Sequence, residues 1–168
     1  MTTHVKPIPA DYHTITPALS VRGGIEALEF YKRAFGAKER MRFPGPDGKS
    51  LMHAELKIGD SILMLGDEQP DMGCRGPQSL GGTTVSLYLY VEDVDKSFSQ
   101  AVSAGAKPLM PVADMFWGDR MGKVADPFGH EWTLSTHKED VTPEEARKRG
   151  EAFFREMAKP AAASSASR

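Results

Sequence analysis

Two side chains that can move protons sit two residues apart in this sequence. His53 and Glu55 belong to the alternating segment 51–58, which predicts a strand, so both side chains share one face of it. An imidazole beside a carboxylate can act as a general base with its partner. The same pair can also lie on an exposed sheet face without any chemistry, so both interpretations stay open.

A second set of candidates is aromatic. Tyr88 and Tyr90 alternate on another predicted strand, where they could stack on a ligand or line a half-exposed sheet. Trp117 and Arg120 flank the start of a later strand, where an indole and a guanidinium could hold a planar or anionic ligand. A structural Asp119–Arg120 pair beside a core tryptophan is the rival interpretation.

Glu131 completes the set of candidate ligand-binding residues. It is adjacent to His130, so the two side chains face opposite ways on a regular strand. We expect Glu131 to face the ligand, on the same side as Thr133, and His130 to lie on the surface of the preceding turn.

These residues need a sheet to position them, and the sequence predicts one made of two similar halves. Residues 21–38 place apolar side chains at helical spacing before a stop at Gly36, and residues 91–107 repeat the pattern before Gly105. The triplet Gly-Ala-Lys after the first helix recurs 69 residues on. A repeat of this length suits two copies of a small α+β module with the order β-α-β-β-β.

The predicted organisation follows from this repeat. We expect a flexible N-terminus at 1–12, modules at 13–66 and 84–137 that form one domain, and a linker at 67–83. A C-terminal helical extension at 138–159 begins with a capping box at 142–145, and its apolar side chains should dock on the domain or on a second subunit. The tail at 160–168 has nothing large to bury and is predicted to be disordered.

Composition excludes several classes of function. The chain has 21 Lys and Arg against 23 Asp and Glu, a net charge of -2, which gives no electrostatic case for nucleic acid or an anionic membrane. A single cysteine, Cys74, excludes an intramolecular disulfide and zinc sites built from several thiolates. The N-terminus lacks an apolar signal core and no run approaches 18 apolar residues, so we expect an unexported, cytoplasmic protein.

Several motifs give the chain a family resemblance. The paired modules, together with F-Y-K-R-A-F-G-A at 30–37 and D-P-F-G-H at 126–130, resemble the vicinal oxygen chelate superfamily of glyoxalase I, bleomycin-resistance proteins and ring-cleaving dioxygenases. M-H-A-E-L-K-I-G-D-S-I-L-M-L at 52–65, W-G-D-R and T-P-E-E are most similar to its PhnB-like branch. Over about residues 13–137 the resemblance implies an α+β fold in which two βαβββ modules form a cupped mixed sheet around a cleft, and a homodimer.

The resemblance also implies four metal-ligand positions, which in this chain are Thr16, Met64, Ser86 and Thr133. None is a histidine or a carboxylate, so the set matches Zn²⁺, Ni²⁺ or Fe²⁺ poorly. We therefore predict vacant metal positions and no cofactor. Alternation along the strands predicts that all four side chains converge on one cavity.

Three functional hypotheses remain. The first is a PhnB-like protein that binds a small organic molecule in a metal-free cleft, for sequestration or resistance. The second is an enzyme of the same superfamily, a lyase, isomerase or dioxygenase, with a divalent metal held by His53, Glu55 and Glu131. The third is a protein-interaction module that uses the C-terminal helix, with its Phe153, Phe154 and Met157. The sequence does not name the ligand or decide whether the chain is an enzyme.

Overall fold

Each half of the chain folds as a strand, a helix and three further strands. The computed structural model describes residues 5–158, so the predicted tail at 160–168 lies outside the described residues. The first half contains β1 (Ala18–Val21), α1 (Gly24–Phe35), β2 (Lys38–Pro44), β3 (Leu51–Ile58) and β4 (Ser61–Asp67). The second contains β5 (Ser86–Tyr90), α3 (Val94–Ala104), β6 (Lys107–Asp114), β7 (Asp119–Ala125) and β8 (Glu131–His137). The predicted α+β class and its two βαβββ modules are confirmed.

The helices begin and end at residues whose chemistry explains the boundaries. Gly36 ends α1 with a left-handed φ of 64°, and its N–H bonds to the carbonyl of Tyr31. The side chain of Asp93 caps α3 by accepting from the Lys96 N–H, and Gly105 ends that helix with a φ of 118°. The repeated glycines are therefore helix stops in both modules.

The strands form two mixed four-stranded sheets. Their orders are β1-β4-β3-β2 and β5-β8-β7-β6, so each module builds a sheet of its own. In both sheets the first strand runs parallel to the last, and the other pairs are antiparallel. Among residues 5–158 no strand of one sheet pairs with a strand of the other.

Side chains, rather than strand pairing, join the two modules. Helices α1 and α3 contact each other, and one apolar core includes residues of both helices and both sheets. Within it the Tyr31 hydroxyl and the Trp132 Nε1–H donate to Oδ2 of Asp126 over 2.8 and 2.9 Å. Each sheet therefore turns its other face away from the shared core, and on those faces lie His53 and Glu55 in the first sheet and Tyr88 and Tyr90 in the second.

The remaining segments contain short helices and one long helix. The linker includes a 3-10 turn at Pro70–Met72 and the short α2 (Pro77–Leu80). Helix α4 (Pro143–Met157) begins at Thr142, whose hydroxyl accepts from the Glu145 N–H over 3.2 Å as the capping box requires. Within residues 5–158 none of the helices is both long enough and apolar enough to cross a membrane.

Candidate functional site

A buried carboxylate organises the outward face of the second sheet. Asp119 is only 4% exposed, and its Oδ2 accepts from the hydroxyls of Tyr88 and Tyr90, over 3.3 and 3.1 Å, and from Nε1–H of Trp117, over 3.3 Å. Its Oδ1 lies 2.8 Å from Nδ1 of His137. We call these five residues the Asp119 cluster.

Local strand geometry brings these residues together. Asp119 opens β7 and pairs directly with His137 at the end of β8, so the two side chains share one face. Tyr88 and Tyr90 are alternate residues of β5, which lies beside β8 in the same sheet. Their neighbours Leu87 and Leu89 pack against the core, which turns the tyrosines outward.

The charges of the Asp119 cluster support one another. Burial opposes ionisation of Asp119, but hydrogen bonds from His137, Tyr90 and Trp117 outweigh it, so the pKa of Asp119 is lowered. The pKa of His137 is raised by its bond to Asp119 and by Asp140, which lies 3.0 Å from its Nε2. Burial and the Asp119 contact raise the pKa of Tyr90 to about 12, so this hydroxyl stays protonated and acts as a donor at neutral pH.

This arrangement leaves the aromatic ring faces available. The polar ends of Tyr88, Tyr90 and Trp117 all point to Asp119, whereas the residues themselves remain exposed. The two tyrosine rings lie 5.1 Å apart, tilted by 43°. Rings held in this way offer a fixed apolar surface on which a planar ligand can stack, and a cation can also lie against them.

The first sheet carries the other predicted pair on its outward face. His53 and Glu55 do share a face, with Nε2 and Oε1 3.5 Å apart, and Glu55 is buried. Arg40 lies 3.6 Å from Glu55, and its guanidinium sits over the Tyr12 ring at 5.3 Å. A hydrogen bond to Glu55 raises the pKa of Tyr12. His53 also lines a groove of about 210 Å³, the first-module groove, formed by β1, β3, β4 and the linker.

The four predicted metal positions occupy two different places. Met64 lines the first-module groove, and Thr16 precedes Pro17, whose carbonyl accepts from the Met64 N–H. The hydroxyls of Ser86 and Thr133 lie 3.3 Å apart on the second sheet, and neither residue lines that groove. Of the four residues, only Met64 lines this groove, Thr16 precedes β1 and bonds to the His13 carbonyl, and Ser86 and Thr133 lie together on the second sheet.

These side chains do not fit a transition metal. Hydroxyls and a thioether are weak ligands for the divalent ions that the superfamily uses, and the hydroxyls of Ser86 and Thr133 bond to each other. The alternative trio is divided as well, because Glu131 lies on β8 whereas His53 and Glu55 lie on β3 of the other sheet. No group of three or more His, Cys, Asp or Glu side chains that could hold a metal occurs in the described part of the chain.

Arg120 lies away from the Asp119 cluster. Its guanidinium donates to both carboxylate oxygens of Asp95 on α3, each over 2.8 Å, and to Asp114 over 3.1 Å. Asp119 and Arg120 are adjacent on β7, so their side chains face opposite sides of the sheet. The structure thus separates Arg120 from the tyrosines with which the sequence grouped it.

Sequence reasoning missed two central residues, Asp119 and His137. Asp119 was considered only as a partner of Arg120, and His137 was treated as the end of the second module. The turn at 126–129 held the missing signal. Counting outward from it pairs Ala125 with Glu131 and, six residues further along each strand, Asp119 with His137.

Two βαβββ modules that share one core define a paired-module α+β protein. The sequence model of the Glyoxalase/Bleomycin resistance protein/Dioxygenase superfamily matches residues 14–134. The chain belongs to this family.

Several known proteins are similar to this chain. An uncharacterized protein of Mycobacterium tuberculosis is 47% identical over 135 residues, which cover 78% of this chain and 78% of that protein. The crystal structure of TioX from Micromonospora sp. ML1 is 30% identical with a TM-score of 0.61, over 74% of this chain and 98% of that one. A PhnB protein from Bacillus cereus, 20% identical, shares the fold with a TM-score of 0.58, over 74% of this chain and 99% of that one.

Proposed function

We propose that this chain binds a small, planar organic molecule on the exposed rings of the Asp119 cluster, without a transition metal. One observation carries the proposal. Three aromatic side chains donate hydrogen bonds from their polar groups to a single buried carboxylate, and their ring faces remain exposed. Because strands and hydrogen bonds already fix these rings, a ligand would not have to immobilise them, which favours affinity. Sequestration of a toxic compound needs only such a surface.

Two further expectations belong to the same proposal. We propose that the protein acts as a homodimer, which the resemblance to the family implies. A cytoplasmic location is expected because the exposed Cys74 fits a reducing compartment.

A compound panel with matched variants tests the binding proposal. Planar aromatic compounds that are neutral, cationic or anionic would be screened by thermal shift, and hits would be titrated by tryptophan fluorescence. Trp117 is exposed and Trp132 is buried, so quenching should report mainly on Trp117. Tyr90→Ala should weaken binding at least about fivefold, since an aromatic contact contributes about 1 kcal/mol.

The control is Leu80→Ala, which removes an exposed apolar side chain from α2 and should leave binding unchanged. If no compound in the panel stabilises the wild-type protein, or if Tyr90→Ala binds as well as wild type, the proposal is wrong. Elemental analysis of protein purified without a chelating tag tests whether the binding site is free of metal. Stoichiometric metal would contradict metal-free binding.

The His53–Glu55 pair favours one second candidate, an enzyme of the same family. Glu55 is buried and close enough to orient the imidazole, and His53 lines the first-module groove, where it could accept a proton from a substrate. If this candidate is right, His53→Gln should abolish turnover of any compound that the panel identifies as a substrate. Unchanged turnover would remove His53 from the chemistry.

A further inference from the structure

The last turns of α4 expose a row of apolar side chains. Phe153, Phe154 and Met157 are 42, 61 and 69% exposed, and we call them the α4 ridge. The only ring contacts of the ridge within the described residues are with each other and with Phe116, at centroid distances of 5.6 Å to Phe153 and 5.9 Å to Phe154. Exposing three large apolar side chains side by side to water is unfavourable in free energy.

The helix that carries the ridge contacts the rest of its own chain through a small number of residues. Arg149 donates to both carboxylate oxygens of Glu139, over 2.7 and 2.9 Å, and to Glu145 over 2.8 Å. Gly150 is buried, and a Cβ added there would lie 3.1 Å from the Phe116 ring. The ridge is therefore exposed by the way in which α4 docks on its own chain.

The ridge lies beside the turn that precedes β7, where Phe116 packs edge-on against Trp117 at 4.8 Å. Trp117 belongs to the Asp119 cluster and is not part of the ridge. At about 200 Å² for a large side chain, the three ridge residues together expose about 350 Å². Apolar patches of this size are often functional.

The residues outside the described range offer few apolar side chains that could cover the ridge. The residues outside the described range are M-T-T-H at 1–4 and K-P-A-A-A-S-S-A-S-R at 159–168, which contain no aromatic residue and only one large apolar side chain. The first module, in contrast, exposes a second apolar set on and beside its edge strand β2. Met41, Phe43 and Met52 there are 42, 56 and 48% exposed.

The sizes of the two patches suit a symmetric pair. In a two-fold dimer the ridge of each copy can contact the first module of the other copy. The dimer then contains two equivalent contacts, and each contact covers one ridge and one first-module patch. On the same scale as above, such a dimer would bury about 1,300 Å² of side-chain surface in total, within the range of stable protein interfaces. Either patch alone would fall well short of that range.

We infer that the α4 ridge docks on the first module of a second copy of this chain, against Met41 and Phe43. The inference rests on the proposed homodimer and names the surface that holds it together. It leaves the rings of Tyr88 and Tyr90 free for the ligand.

Sedimentation equilibrium of the full chain tests the docking. The double variant Phe153→Ala/Phe154→Ala should weaken dimerisation at least about tenfold, and Phe43→Ala should also weaken it, while circular dichroism stays unchanged. Leu80→Ala removes an equally exposed side chain outside both patches and should dimerise like wild type. A monomeric wild type would refute both the dimer and the docking, whereas a dimer unaffected by the double variant would refute the docking alone.

Disulfide trapping tests which surfaces meet. In a Cys74→Ser background, one copy would carry Phe154→Cys and the other Phe43→Cys. Mild oxidation of the mixture should link the two different chains. Linkage of Phe154→Cys copies only to each other would show that α4 meets α4, and would overturn the assignment to the first module.

Discussion

Replacing Asp119 with asparagine should destabilise the protein by about 2 kcal/mol. The substitution keeps the shape of the side chain but removes its charge and puts an amide NH₂ where an oxygen now accepts. Asp119 is 4% exposed and accepts four hydrogen bonds, so either one donor loses its partner or His137 must give up its Nδ1 proton and the charge-assisted bond. The loss stays below that of a fully buried ion pair because His137 is half exposed and can return to water.

Urea unfolding followed by circular dichroism measures this effect. For a chain of this length, about 2 kcal/mol corresponds to a fall in Tm of roughly 4 to 8 °C. Asp140→Asn is the matched control, because Asp140 bonds to the other nitrogen of His137 but is fully exposed. Its loss of stability should be much smaller than that of Asp119→Asn, because an exposed ion pair contributes little.

The comparison can refute the reasoning directly. If both variants lose the same free energy of unfolding, burial is not what makes Asp119 important. If Asp119→Asn loses less than about 0.5 kcal/mol, the four bonds do not act as a stabilising unit.

Three other changes have expected outcomes. The His137 imidazole should titrate by NMR above pH 6.5, and its pKa should move down in Asp119→Asn. Because the folded pKa of His137 is raised, its contribution to stability is complete below about pH 6.5 and is lost as the pH rises through the folded pKa. An unshifted titration would contradict the pairing of His137 with Asp119. Asp126→Asn should lower the free energy of unfolding in urea by about 3 kcal/mol, since the buried carboxylate accepts a hydrogen bond from Tyr31 of the other module. A loss below about 1 kcal/mol would be inconsistent with that role. Arg120→Met should have little effect on stability and leave ligand affinity unchanged, and a clear loss of affinity would place Arg120 in the binding site.

Local pattern predicted most of the fold, because it depends on neighbours in sequence. Helical spacing and the stops at Gly36 and Gly105 located both helices, and alternation correctly put Tyr88 and Tyr90 on one face. The same alternation predicted that His53 and Glu55 would lie together. In each case the periodicity of one element fixes the direction of its side chains.

The candidate site was harder to predict, because it depends on how elements meet. Alternation tells which face of its own sheet Met64 or Thr133 occupies, but not where the two sheets lie relative to each other. The grouping of Arg120 with Trp117 failed for a related reason. Proximity in sequence suggested a shared site, although adjacent strand residues such as Asp119 and Arg120 point to opposite faces.

The Tyr31–Asp126 bond makes the two halves of the repeat unlike partners. Gln100 stands 69 residues after Tyr31, and the two-residue turn at Gly59 and Asp60 stands where the second module has the longer turn that begins at Asp126, so the bond has no counterpart in the other direction. Two copies of the first module placed together would lack the carboxylate of Asp126, and a Tyr31 hydroxyl buried without an acceptor costs about 1 to 3 kcal/mol. This hydrogen bond therefore favours pairing of the first module with the second over pairing of the first module with a copy of itself.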